Sequence, residues 1–219
     1  MPIAGGRRSR GFVNDGETIL WQRLDTSGHE VARISQQSDG WLLDGVAVFV
    51  ESGTPCRVEY EIWCDGHWTT QRCVLRGAIG DRSVHLEIER DSAGAWSVDG
   101  VENATLRGCA DVDLGFSPVT NLLPIRRLAL PIGARASVRA SWVRFPELTL
   151  EILEQTYARI ATDRYIYESA GGEFRRELTV DDFGCVIEYP GLWHAEATAR
   201  SASRAADAAG AISASRDIV

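Results

Sequence analysis

Apolar side chains return at every second position through most of this chain, from Leu43 to Tyr189, and short pairs of turn-forming residues break the runs. That period places successive side chains on opposite faces of an extended strand, so it demands half-buried sheet. The breaks at Asp44-Gly45, Asp65-Gly66, Gly80-Asp81, Ala93-Gly94, Asp99-Gly100 and Gly171-Gly172 leave little room for crossover connections. Neighbouring runs are therefore expected to pair antiparallel.

The clearest case is CRVEYEIWCDGHWTTQRCVL, residues 56–75. One face carries Cys56, Val58, Tyr60, Ile62, Cys73 and Leu75; the other carries Glu59, Glu61, Arg72 and the Trp63/Trp68 pair. A two-residue turn at Asp65-Gly66 sets Trp63 opposite Trp68, Cys64 opposite His67, Glu59 opposite Arg72 and Val58 opposite Cys73. The Glu59–Arg72 pair, if exposed, is worth about 0–1 kcal/mol. Further on, Val84, Leu86 and Ile88 alternate with His85, Glu87 and Glu89, and Val138, Ala140 and Trp142 alternate with Ser137, Arg139 and Ser141. The window 147–160 reads as strand in preference to helix, and 164–189 as three short strands. The segment GFSPVTNLLPIRRLALPIG, 115–133, holds several prolines and reads as a loop entering a strand near Ile125.

Two meanders result, at 41–114 and 136–194, and they are expected to be halves of one all-β, predominantly antiparallel sheet that bulges and turns curl around apolar contents. We take 17–194 as a single domain, 1–16 as a flexible N-terminal segment and 195–219 as an Ala/Ser-rich tail, either marginal helix or disordered. A chain of 219 residues with 44% apolar and 25% charged residues can bury a substantial core.

Charge narrows the partners. Lys plus Arg number 23 against 31 Asp plus Glu, a formal charge of -8, which opposes a phosphate backbone, so no nucleic-acid partner is expected. No apolar run of about 18 residues is present, so no transmembrane segment is expected. The basic start lacks a following apolar stretch, and a cytoplasmic location is the default expectation. The five cysteines are odd in number and lack a CxxC pair, so they read as reduced core residues. Cys64 and His67 alone fall short of the four ligands of a structural zinc site, and no metal is expected.

The sequence lacks GxSxG, HExxH, GxGxxG and GxxxxGK[ST], which removes the common hydrolase and cofactor routes; no cofactor is expected and no residue is assigned as catalytic. Asp111 and Asp113 lie two apart and can share a strand face, the basis of an alternative reading as a hydrolase of a sugar or phosphate ester. A second alternative is a protein-interaction module using the Trp63/Trp68 face or a sheet edge. On a strand, Arg126 and Arg127 point to opposite faces, so one turns inward and offers a guanidinium fork to a polar head group; periodicity does not choose between them. Trp142, Tyr157, Tyr165, Tyr167 and Tyr189 offer flat apolar faces with polar edges, suited to sugar faces as well as to packing.

At FSPVTNLLPIRRL, residues 116–128, the sequence resembles the bacterial "putative glycolipid-binding" family, whose fold is a spiral β-roll. The resemblance continues through LDGVAVF (43–49), WVRFPEL (142–148), EQTYARI (154–160) and VDDFGCVIEYPGLW (180–193). It rests most on Ser117-Pro118, Thr120-Asn121 and Pro124-Ile125-Arg126-Arg127. Val119 and Leu122 are bulkier than the family pattern, which would narrow a nearby surface. The resemblance implies noncatalytic binding of a glycolipid or other amphipathic small molecule, with an apolar cavity for the tails and a head group fixed near residues 117–127. The expected ligand-binding residues are Ser117, Asn121, Arg126, Arg127, Trp142, Gln155, Tyr157, Tyr165 and Tyr189; a homo-oligomer is left open.

Overall fold

The computed structural model describes residues 16–201; the expected N-terminal segment, apart from Gly16, and residues 202–219 of the expected tail lie outside the described residues. Eight strands form the first half: β1 (Gly16–Arg23), β2 (Gly28–Gln37), β3 (Gly40–Glu51), β4 (Thr54–Asp65), β5 (Thr70–Ile79), β6 (Arg82–Arg90), β7 (Trp96–Val98) and β8 (Val101–Glu102). The second half holds β9 (Asp111–Leu114), β10 (Arg135–Arg144), β11 (Thr149–Arg159), β12 (Arg164–Ser169), β13 (Phe174–Val180), β14 (Val186–Tyr189) and β15 (Trp193–Ser201). One helix, α1 (Leu122–Leu128), lies between β9 and β10.

All fifteen strands belong to one sheet, in the order β8-β7-β6-β5-β4-β3-β2-β1-β15-β14-β13-β12-β11-β10-β9. Every neighbouring pair is antiparallel except β9–β10, which is parallel. The two meanders are thus halves of one sheet, and the seam between them is made by β1 and β15. β15 runs to Ser201, so residues 195–201 are strand instead of marginal helix: all but Glu196, which the bulge between Ala195 and Ala197 leaves unpaired, face a partner on β1, whose ladder supplies what alanine propensity alone would not.

The curled spiral β-roll is not what this chain adopts. The sheet is open: β8 and β9 stand at its two ends and do not pair with each other. β8 has two residues and β9 four, too short for a closing ladder. β9 instead meets isolated groups of Thr70: the Thr70 N–H donates to Ala110 O (3.2 Å), and the Thr70 hydroxyl accepts from Val112 N–H (3.1 Å). In the second half Tyr157, Tyr167, Phe174 and Tyr189 pack against one another, with ring centroids 5.1–6.3 Å apart.

Inward positions of the alternation make the core. Ile19, Trp21, Ile34, Leu43, Val58, Ile62, Cys73, Leu75 and Ile88 are all fully buried, each worth about 1.5–3 kcal/mol if large and aliphatic. The Trp21 indole N–H donates to Val186 O at 2.6 Å, tying β1 to β14. All five cysteines are buried.

Two local expectations fail for identifiable reasons. The β4–β5 connection is not a two-residue turn: the carboxylate of Asp65 accepts the N–H groups of His67 and Thr69, and the loop widens to residues 66–69. A bulge follows, so that Trp63 faces Arg72, Cys64 faces Thr70 and Glu59 faces Arg76. Trp68, at φ +67°, turns inward and stacks on Trp41 with centroids 4.4 Å apart, which removes the exposed tryptophan pair. Cys64 is buried while His67 is exposed.

The segment around Ile125 is helix, not strand. Pro124 falls in the first turn of α1, where its missing N–H has no intrahelical acceptor to lose. Phe116, Val119, Leu122, Leu123 and Ile125 are buried, so the connector packs into the core instead of lying on it. Phe116 meets Phe49 and Phe145, at 6.1 and 5.3 Å.

Candidate functional site

A cleft of 660 Å³ opens beside β10, β11 and β12, against α1 and the turn at Gly108. That size lies in the range of about 300–1,000 Å³ common for small-molecule sites. Its lining is mostly polar: Arg127, Arg135, Ser137, Arg139, Gln155 and Thr156 border it, with Leu128 and Val138 as apolar contacts. Strand pairing explains the arrangement, since Ser137 faces Thr156 and Val138 faces Gln155 across β10–β11. The Ser137 and Thr156 hydroxyls lie 3.2 Å apart.

Two carboxylates on alternate residues of β9 hold the floor. Arg127 clamps Asp111 through Nε (3.0 Å) and Nη2 (2.5 Å), a bidentate fork on a side chain only 2% exposed. Burial raises the Asp111 carboxyl above its ordinary value, and Arg127 opposes that rise. The Gln155 amide donates to Asp113 Oδ2 (2.7 Å) and to Tyr167 OH (3.0 Å). Burial pushes Asp113 up to about 6, with Gln155 holding it lower than burial alone would. Both N–H groups of Gln155 are spent on these partners, which leaves its amide oxygen as an acceptor for a hydroxyl in the cleft. Each aspartate therefore orients a neighbouring side chain.

Other expected site residues lie deeper. Tyr157 is fully buried and donates to Asn121 Oδ1 (2.9 Å); the Asn121 amide donates to Pro118 O (3.2 Å). Tyr189 is buried against Tyr167 and Phe174. Burial raises the hydroxyls of Tyr157, Tyr167 and Tyr189 above the usual phenol value, so all three stay protonated and able to donate. Trp142 stands away from the cleft, beside Gly115, with the Arg144 guanidinium 5.2 Å over its ring. Ser117 donates to Glu30 and accepts from Val119 N–H.

Arg126 and Tyr165 meet elsewhere, in a second cleft of 370 Å³. There the Arg126 guanidinium carbon sits 5.3 Å from the Trp68 ring and 5.1 Å from Phe183, and Nη1 donates to Phe183 O at 3.3 Å. The nine expected residues thus separate into a pair on the larger cleft (Arg127, Gln155), a pair on the smaller (Arg126, Tyr165), four buried residues (Ser117, Asn121, Tyr157, Tyr189), and Trp142 apart.

The sequence reading missed Glu30. Its Oε1 accepts from Tyr60 OH and Ser117 Oγ, both at 2.5 Å, and desolvation pushes its carboxyl up to about 7. The signal was there: Glu30 shares a strand face with Ala32 and Ile34, a charged residue in line with two core positions. It also missed the grouping of Glu17, Asp181 and Cys185, whose ligand-type atoms lie within 4.8 Å of one another. Arg200 already supplies the positive charge there, at 3.2 Å from Glu17 and 3.4 Å from Asp181.

A family profile described as "putative glycolipid-binding" matches residues 18–195. No curated protein matches the chain. Among solved structures, a DUF1089 family protein from Pseudomonas aeruginosa is similar at 28% identity and a TM-score of 0.68, over 89% of this chain and 98% of that one. A β-barrel-like protein of domain of unknown function DUF1849 from Brucella abortus shares the fold at 9% identity and a TM-score of 0.51, over 87% of this chain and 99% of that one. No helix among the described residues is long and apolar enough to cross a membrane.

Proposed function

Because the chain belongs to the family described as "putative glycolipid-binding", we propose that it binds the hydroxyl-rich head of an amphipathic small molecule, without catalysis, in the 660 Å³ cleft. The observation that carries this reading is the Asp113–Gln155 and Asp111–Arg127 floor, two polar side chains at the cleft held in fixed orientation by the β9 carboxylates, one buried and one half-buried. A sugar hydroxyl both donates and accepts, and the cleft offers both functions. Gln155 presents an acceptor, Arg127 and Arg139 present donors, and Ser137 and Thr156 present either. Leu128 and Val138 supply apolar contact for a sugar's C–H face.

The reading assigns the interaction to the head group; Tyr157, Tyr167 and Tyr189 pack against one another in the core. Asp111 and Asp113 are each committed to a side-chain partner, which gives the hydrolase reading no specific support. Such a site gains its affinity from satisfied hydrogen bonds and excluded water, with ordering costs subtracted.

The test is titration of the full-length, ¹⁵N-labelled protein with octyl glucoside below its micelle concentration, alongside native mass spectrometry of gently purified protein. Shifts confined to β10–β12 and α1, weakened in Gln155→Ala, are expected. Shifts scattered over the sheet, or none, with no retained small molecule in native spectra, would overturn the reading.

A further inference from the structure

The 370 Å³ cleft is lined by Arg126 and Arg159, with Tyr165, Phe183 and Asp182 around them. Both arginines are half-buried, and among the described residues neither has a carboxylate partner. Arg126 donates to one carbonyl, that of Phe183, and rests against the Trp68 and Phe183 rings. Arg159 donates to the carbonyls of Leu130 (3.0 Å), Ala161 (3.2 Å) and Thr162 (2.7 Å), with its guanidinium carbon 5.6 Å from the Tyr165 ring. Carbonyls and aromatic faces fix a guanidinium in place but leave its net charge uncompensated.

The contrast within the molecule is direct. Arg127, Arg135, Arg139, Arg144, Arg164 and Arg200 each face a carboxylate. Arg33, Arg82, Arg90, Arg107 and Arg176 also lack an ion pair among the described residues, but Arg126 and Arg159 open together onto one cleft, where burial raises the Tyr165 hydroxyl above its ordinary value and both arginines oppose that rise.

Two acids border the same cleft. Asp181 is spent: Oδ1 accepts the N–H groups of Phe183, Gly184 and Cys185, and Oδ2 faces Arg200. Asp182 is exposed, where water and salt screen it. The cleft therefore keeps a positive excess. One guanidinium fork would satisfy a carboxylate's two oxygens; two forks approaching from different elements, α1 and β11, match the three terminal oxygens of a phosphoryl group better.

We propose that this cleft binds a phosphoryl group between the guanidiniums of Arg126 and Arg159, Trp68 and Phe183 holding Arg126 in position. It is a second site, independent of the head-group cleft. The same group is presented by free phosphate and by a phospholipid head, and the experiment separates these sources.

Full-length protein is titrated with inorganic phosphate by calorimetry at constant ionic strength, with sodium chloride as the blank. In parallel it is sedimented with vesicles of phosphatidylglycerol in phosphatidylcholine. The expected result is phosphate binding that weakens about tenfold or more in Arg126→Gln, as for loss of a charged hydrogen-bonding partner, and strengthens about twofold in Asp182→Asn, as for removal of one exposed like charge. Vesicle association without phosphate binding, lost in Arg126→Gln and kept in Gln155→Ala, would also support the site and assign it to a lipid head. Arg159 holds three backbone carbonyls and its replacement risks the fold, so the test rests on Arg126→Gln and Asp182→Asn, each checked for an unchanged thermal transition. Absence of both interactions, equal binding in Arg126→Gln, or loss in Gln155→Ala instead would overturn the proposal.

Discussion

Arg126 and Arg127 are adjacent on α1, yet their guanidiniums open onto different clefts: Arg127 grips Asp111 beside the larger, and Arg126 lies over Trp68 and Phe183 beside the smaller. Successive helical residues diverge by roughly 100°. The divergence sends one arginine to a buried carboxylate and the other to aromatic faces, and it gives each a different environment. Arg127 is a charge already answered, while Arg126 still has most of its donors unspent.

That difference sets an asymmetric stability cost at the Asp111–Arg127 pair. Arg127→Met leaves a carboxylate 2% exposed without its partner, and we expect a loss of about 3–5 kcal/mol at pH 7. Asp111→Asn strands an arginine that is 20% exposed and can recover water, so about 1–3 kcal/mol is expected. Urea unfolding of both variants and of the double variant is the measurement. Equal losses, or strictly additive ones, would show that the pair is not coupled as described.

Glu30 predicts a pH dependence of the opposite sense to a salt-bridged acid. Its carboxyl is raised from 4.5 to about 7 in the folded protein, so between those values the folded state binds more protons than the unfolded one. The stabilising contribution of neutral Glu30 is complete below about pH 4.5, falls as the pH rises towards 7, and is gone above it. Glu30→Gln, which is neutral at every pH, should therefore be relatively more stable at pH 8 than at pH 4.5, by about 1–3 kcal/mol. Thermal midpoints of the two proteins across pH 4–8 test this; parallel curves would refute it.

A smaller effect is expected where Tyr157 meets Asn121. Both are buried, and the hydroxyl donates at 2.9 Å. Tyr157→Phe removes the donor and leaves Asn121 Oδ1 without it, a cost of about 1–2 kcal/mol. Because this bond lies below the cleft, the variant should lose midpoint stability while retaining octyl glucoside shifts at β10–β12. Loss of ligand shifts without loss of stability would instead place Tyr157 in contact with the ligand.

What could be read from the sequence was the part fixed by local alternation. Cys56, Val58, Tyr60, Ile62, Cys73 and Leu75 are all buried, and 149–159 is strand. What could not be read depended on partners remote in the chain. Asp65 captures loop N–H groups and moves the β4–β5 pairing, an effect that the Asp-Gly pair does not reveal. LLPIRRL is too short for a helical period to outweigh an extended reading, and its buried face is defined by contacts with distant strands. At the larger cleft, Arg127 and Gln155 were legible as polar residues in distinctive segments. Arg135, Arg139, Ser137 and Thr156 join them only through the β10–β11 register. Curling was expected from the turns and bulges as well as from the resemblance, and it fails on edge lengths that no local pattern records.

The seam between the halves makes the last expectation. β15 pairs with β1 from Gly16↔Ser201 to Arg23↔Trp193, and this ladder joins two meanders whose far ends, β8 and β9, do not pair with each other. Removing β15 would not trim an edge; it would cut the sheet in the middle, exposing an edge of β1 and one of β14 and uncovering Ile19 and Trp21, both fully buried. A chain ending at Leu192 should lose the single cooperative unfolding transition, whereas a chain ending at Ser201 should keep it. Hydrogen exchange gives an independent readout: amides of Thr18–Leu20 should be among the slowest in the full chain and exchange quickly after truncation at Leu192. A cooperative transition surviving that truncation would mean that one meander folds alone, and that the β1–β15 ladder aligns the halves without determining their stability.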